Sequence, residues 1–206
     1  MKLVQIAGYL GSGKTSLIIA LTKGLAGKGK RVAVLVNDVG EVSVDGSVME
    51  EYGLTVKDIG GGCICCQVAG SMLKTLELLA NGPNPDIIIV EPTGMAVPNA
   101  IRETVAMLDV KKVAIKIGPT IVLFDLTRSG KLLSYDTLKR LITTQLKDAD
   151  IIALSKAEMV SDETVRESAE AVRAINPKAE IMRLSTRTGE GLANLVSSVI
   201  ETTVRV

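Results

Sequence analysis

The sequence predicts an α/β protein built on a doubly wound, mostly parallel sheet. Short apolar runs recur at residues 3–7, 31–37, 54–59, 86–90, 120–124, 151–154 and 180–184. Stretches with helical spacing separate them at 16–25, 67–79, 99–108, 134–147, 162–175 and 191–203. A glycine-rich turn joins the first run to the first helix. Continuous runs such as IIIV and IIAL suit strands covered on both faces. Strand–helix alternation then closes into parallel βαβ units.

Taken in order, the first run (LVQIA) is short and buried in character, and Gly8 ends it. Residues 31–37 (RVAVLVN) are β-branched and strand-like. Residues 54–59 alternate more weakly. The runs at 86–90, 120–124 and 151–154 are bounded by polar residues. Pro98 and the pair Asn176-Pro177 mark helix boundaries. Residues 106–119 carry no clear pattern. With no internal repeat and no low-complexity linker, the 206 residues are expected to form one domain, 1–206.

Composition narrows the function. The chain is 47% hydrophobic but has three tyrosines, one phenylalanine and no tryptophan, so its core must be aliphatic. Lys plus Arg is 24 and Asp plus Glu is 23, a net charge of +1. That balance argues against general nucleic-acid or membrane binding. No run approaches the roughly 20 apolar residues of a membrane span. No signal-peptide layout precedes the first strand, and a cytoplasmic protein is expected. There is no histidine, so metal chemistry must use Cys, Asp or Glu.

Gly8-Tyr9-Leu10-Gly11-Ser12-Gly13-Lys14-Thr15 fits the phosphate-binding pattern G-x-x-x-x-G-K-S/T, between a strand and a helix as that pattern requires. Gly8, Gly11 and Gly13 let the loop wrap tightly and, with Ser12 and Ser16, bring backbone N–H groups to phosphate oxygens. The helix N-terminus adds its positive dipole end. Lys14 reaches the β- and γ-phosphates, and the Thr15 hydroxyl is a Mg²⁺ ligand. Asn37-Asp38 follows the second strand, and Asp38 is the expected Mg²⁺-side carboxylate, with Asp45 an alternative. Glu91-Pro92-Thr93-Gly94 follows IIIV. Glu91 is placed to support the same ion, and Gly94 to meet the γ-phosphate by its N–H.

Ser155-Lys156-Ala157-Glu158 follows IIAL and resembles the guanine-reading pattern Asn/Ser/Thr-Lys-x-Asp of GTPases. There the lysine stem lies along the purine, and the acid accepts from the ring N–H and exocyclic amine. Glu158 is one methylene longer than that acid. Thr186, after the last strand, lies where a further base-contacting loop is expected. All three cysteines fall in Gly60-Gly61-Gly62-Cys63-Ile64-Cys65-Cys66. Thiolates at this density bind soft or borderline metals. A tetrahedral Zn²⁺ site needs about four ligands, so Cys63, Cys65 and Cys66 require a further donor from water, a carboxylate or a second chain.

With these motifs in hand, the whole chain resembles the metal- and cofactor-linked P-loop GTPases. These include CobW-type metallochaperones, the urease and hydrogenase nickel-insertion GTPases and the methylmalonyl-CoA mutase chaperone. GYLGSGKTS, NDVGE, GGGCICC, EPTG and SKAE stand in family order, and C-x-C-C most resembles the CobW-type branch. The resemblance implies a P-loop NTPase (G-domain) fold, binding of GTP or GDP with Mg²⁺, slow hydrolysis, and Zn²⁺ on the cysteines, with Ni²⁺ or Co²⁺ as alternatives. It implies a client metalloprotein or cofactor-dependent enzyme and a nucleotide- or metal-dependent homodimer. CobW-type proteins commonly carry a further C-terminal domain, often with histidines; none is expected here. Lys14, Asp38 and Glu91 are the expected catalytic residues. Rival readings are a GTP-gated chaperone for assembly or reactivation of a corrinoid- or metal-dependent enzyme, an ATP-dependent kinase, and a regulatory module with structural cysteines.

Overall fold

The computed structural model describes residues 1–36, 55–58, 76, 79–81, 84–92, 102, 115–134 and 136–204. Among these, seven strands form one sheet: β1 (Lys2–Gly8), β2 (Val32–Val36), β3 (Thr55–Asp58), β4 (Ile87–Glu91), β5 (Lys116–Asp125), β6 (Ile151–Ser155) and β7 (Glu180–Leu184). Their order is β3-β2-β4-β1-β5-β6-β7, and every pair is parallel. The helices are α1 (Lys14–Gly27), α2 (Ser129–Leu132), α3 (Asp136–Lys147), α4 (Asp162–Ile175) and α5 (Leu192–Glu201).

The alternation of side chains along β1 divides the core. Val4 and Ile6 face α1 and α5, in a cluster with Leu17, Leu21, Leu25, Leu195 and Val199. Leu3 and Ala7 face the other way. Beneath them, Leu76 and Leu79 pack over the β2–β4 side. On the β5–β6 side, Ile142 and Leu146 of α3 and Val165 and Val172 of α4 cover Val122, Phe124, Ile152 and Leu154. The sheet is thus covered on both faces, which explains why its strands read as unbroken apolar runs. No helix among the described residues is long and apolar enough to cross a membrane.

Two of the departures from the sequence expectation have a visible cause. Helix α1 starts at Lys14 rather than residue 16, because Gly13 takes the N-cap in a left-handed conformation (φ 97°). Strand β5 starts at Lys116 rather than residue 120. The ladder to β1 shifts register between Leu3 and Gln5, and Pro119 falls in that irregular stretch. Proline cannot donate to a ladder, so in an interior strand it belongs at such a break. The break hid the strand's first half from a pattern reading.

The Asn176-Pro177 boundary has a physical basis. Asn176 Nδ2 donates to the carbonyls of Leu146 (2.8 Å) and Ala149 (2.9 Å), at the end of α3. Its Oδ1 accepts from the Lys178 and Ala179 amides. One buried side chain thereby fixes the ends of α3 and α4 against the start of β7. At the same amino edge of the sheet, Arg102 pairs with Asp150, which also accepts from the Thr120 amide.

The α1 face contains the largest cluster, and Leu21 is fully buried in it. Leu21→Ala is expected to lower unfolding free energy by about 2–5 kcal/mol, read from urea denaturation at constant m-value.

Candidate functional site

In open parallel sheets the ligand crevice lies beyond the carboxyl ends of the strands, where neighbouring connections diverge. Here β1 lies between β4 and β5, and the loop after β1 occupies that divergence. Gly8 opens the loop with φ 141°, and a Cβ there would stand 2.7 Å from the Leu123 carbonyl oxygen. No other residue type fits without moving β5. The Ser12 amide donates to the Tyr9 carbonyl at 3.1 Å, and the Leu17 amide to the Gly13 carbonyl at 2.9 Å. The first turn of α1 is therefore formed, and its leading N–H groups are presented at the loop.

Lys14 is 8% exposed, with its Nζ 3.8 Å from Glu91 Oε1 at the end of β4. Burial pushes the Lys14 ammonium pKa down, and the Glu91 charge opposes that shift. The burial effect prevails, so the ammonium is under-compensated and a second negative group beside it would be favourable. Ser12 Oγ is buried and makes no hydrogen bond in the structure. A pinched glycine loop, a helix N-terminus, a desolvated lysine and an unsatisfied hydroxyl together fit a nucleotide polyphosphate. Oxygen donors suit Mg²⁺; of the residues expected to hold it, the half-buried Thr15 on α1 and Glu91 are described at this site.

From β6, Ser155 Oγ donates to the Ser12 carbonyl at 2.9 Å. Lys156 takes a left-handed conformation (φ 61°), and its Nζ donates to the Gly11 carbonyl at 2.8 Å and to Asp125 Oδ2 at 2.7 Å. A cleft of about 90 Å³ is lined by Ser12, Gly13, Ser16, Leu123, Ser155, Lys156, Glu158, Leu184 and Thr186. Seven of the residues expected to bind nucleotide thus meet around one opening. Glu158 and Thr186 are exposed at its rim. Asp38, Asp45, Gly94, Cys63, Cys65 and Cys66 lie outside the described residues. Among the described residues no group of three or more His, Cys, Asp or Glu is placed to hold a metal.

Asp125 ends β5 and is one of the polar residues that bound the apolar run at 120–124. In the structure it is completely buried and central. Oδ1 accepts from the Thr127 amide (3.0 Å) and hydroxyl (2.6 Å), and Oδ2 from Arg128 Nε (2.8 Å) and Lys156 Nζ. Burial pushes its carboxyl pKa up, but the hydrogen bonds from Lys156, Thr127 and Arg128 and the Lys156 charge outweigh that and hold it below the ordinary value. The available signal was an Asp at a strand end with Thr two residues on, a local turn that an Asx side chain closes.

A phosphate loop on the central strand, with a lysine-bearing turn beside it, is the arrangement of a P-loop nucleotide-binding domain. The chain belongs to the CobW/HypB/UreG family, whose nucleotide-binding domain matches residues 2–183. It is 36% identical over 176 residues to the zinc chaperone YeiR of Escherichia coli, covering 82% of this chain and 49% of that protein. It is 30% identical over 184 residues to the zinc-regulated GTPase metalloprotein activator 1 of Schizosaccharomyces pombe, covering 86% and 44%. The chain therefore spans about half the length of these curated relatives. The hydrogenase maturation factor HypB of Archaeoglobus fulgidus shares the fold, with a TM-score of 0.68, 20% identity, and coverage of 96% of this chain and 87% of that one. The doubly wound P-loop fold and the CobW-type kinship expected from sequence both hold.

The depressed Asp125 pKa has a signed consequence. Its stabilisation is complete above the ordinary aspartate value of about 3.9 and is lost as pH falls through the lower folded-state value. Urea denaturation from pH 7 down to pH 3 should show this loss, and Asp125→Asn should remove that component of the acid slope. Because the change uncouples a buried charge pair, it should also cost of order 3 kcal/mol at pH 7.

Proposed function

We propose that this chain binds GTP and GDP with Mg²⁺, hydrolyses GTP slowly, and couples nucleotide state to holding and releasing a transition metal, zinc, through Cys63, Cys65 and Cys66. The observation that carries the nucleotide half is the opening on which Ser12, Gly13 and Ser16 of the phosphate loop converge with Ser155, Lys156 and Glu158, beside a loop whose Lys14 faces Glu91. Lys14 supplies charge to the β- and γ-phosphates, the loop amides orient them, and Lys156 and Glu158 read guanine. Mg²⁺, held by Thr15 with Glu91 and Asp38 in support, would neutralise phosphate charge. Hydrolysis breaks the bond between the γ-phosphorus and the bridging oxygen, with water as nucleophile, giving GDP and inorganic phosphate. Glu91 is engaged with Lys14, which favours a positioning role for it over that of a general base and supports a slow rate.

Topology supports the coupling. Val36, Asp58 and Glu91 end three adjacent strands in register. Asp58 therefore lies two strand spacings, roughly 10 Å, from Glu91 across the carboxyl edge. In sequence, Cys63, Cys65 and Cys66 follow Asp58 within eight residues. The zinc chaperone relatives make zinc the proposed metal and delivery to a client metalloprotein the proposed outcome.

The test is Zn²⁺ affinity under reducing conditions, by competition with a chromophoric chelator, for the nucleotide-free protein and with Mg²⁺-GDP or a non-hydrolysable GTP analogue. Affinity that changes with nucleotide is the expected result, and affinity indifferent to nucleotide removes the coupling. Cys65→Ser should weaken zinc binding at least about tenfold while leaving GDP affinity within about twofold. Lys14→Ala should do the reverse. Equal displacement of labelled GDP by ATP and GTP would refute the guanine assignment.

A further inference from the structure

At the apex of the phosphate loop the Leu10 side chain is 58% exposed, while Tyr9 before it packs against the core. The Leu10 backbone is held by a guanidinium. Arg128, in the turn after β5, donates from Nη2 to the Leu10 carbonyl at 2.7 Å. Its Nε donates to Asp125 Oδ2 at 2.8 Å, and Nη2 lies 2.8 Å from the same oxygen. The guanidinium carbon stands 5.8 Å from the centroid of the Tyr9 ring, within cation–π range. A Cβ at Gly11 would come within 3.4 Å of Nη2, so the loop and the guanidinium are in close contact.

We propose that Arg128 is a positioning residue for nucleotide binding, a clamp that sets the shape of the phosphate loop from its outer side. The clamp has two prongs on one anchor. Arg128 takes the Leu10 carbonyl and Lys156 takes the Gly11 carbonyl, and Asp125 Oδ2 fixes both cations. Consecutive carbonyls drawn outward leave the amides of the same peptide segment free to face the phosphates. Lys156 belongs to the base-reading turn, whereas Arg128 belongs to no nucleotide motif recognised in the sequence. Only a planar fork reaches a carboxylate and a carbonyl at once while lying against a tyrosine ring, so lysine at 128 is not an equivalent.

This inference rests on the nucleotide-binding reading, and the experiment separates the two. Mg²⁺-GDP and Mg²⁺-ADP affinities are measured by isothermal titration for the wild type, Arg128→Ala, Arg128→Lys and Lys156→Ala, with thermal melts to establish that each is folded. Arg128→Ala is expected to raise the GDP Kd about tenfold, as for loss of a charge-assisted hydrogen bond, while keeping the wild-type preference for GDP over ADP. Arg128→Lys should recover only part of that loss, whereas Lys156→Ala should reduce the preference itself. A residue that merely supported the fold would lower the melting temperature without moving the Kd of the folded protein. The proposal is overturned by a folded Arg128→Ala whose GDP Kd stays within about twofold of wild type, or by complete rescue with lysine. If the alanine variant does not fold, Arg128→Gln is measured against the same two criteria. A wild type that binds neither nucleotide overturns the functional reading, and the clamp with it.

Discussion

One carboxylate organises the site. Asp125 is buried at the end of β5 and receives hydrogen bonds from a backbone amide, a hydroxyl, a guanidinium and an ammonium. An ionised carboxylate can be buried only with such partners, because its desolvation cost is otherwise several kcal/mol. The dependence runs both ways. The donors stabilise the charge, and the charge fixes the donors. Through Lys156 it fixes the turn after β6, and through Arg128 the turn that follows β5. Both cations then grip carbonyls of the loop after β1. Three strand-end loops, far apart in sequence, are thereby held to one geometry.

The left-handed Lys156 follows from that constraint. A non-glycine residue at φ 61° is unfavourable alone and persists where its surroundings over-determine it. Its side chain must reach both Asp125 and Gly11 while Ser155, one residue before, bonds the Ser12 carbonyl. Lys156 is therefore part of the phosphate loop's scaffold.

Much of this was legible in the sequence, and the exceptions have physical causes. Continuous apolar runs gave most of the strands because both faces of the sheet are covered, and Gly8 to Thr15 announced the loop because its steric demands leave few alternatives. The first half of β5 was not legible, since Pro119 and a register shift interrupt the pattern that a period-based reading detects. Asp125 stood at a legible place, but nothing local says that its partners come from residue 156. Arg128 was less visible still. Its function depends on a carbonyl 118 residues away, and a backbone acceptor leaves no trace in side-chain identity.

The sheet divides the site into unequal halves about β1. On the β5–β6 side the loop is held by short hydrogen bonds that converge on Asp125. On the β4–β2–β3 side the one ion pair described to the loop region is Lys14–Glu91, at a looser 3.8 Å. A ligand shifts conformation only through a difference in its interactions with two states. Under the proposed function, a γ-phosphate at Lys14 would compete with Glu91 for that ammonium, whereas the clamp on the far side bonds loop carbonyls. On that reading the difference between GTP and GDP would be felt on the β4 side, through Lys14 and Glu91. The ends of β2 and β3 lie in register with Glu91 on that side.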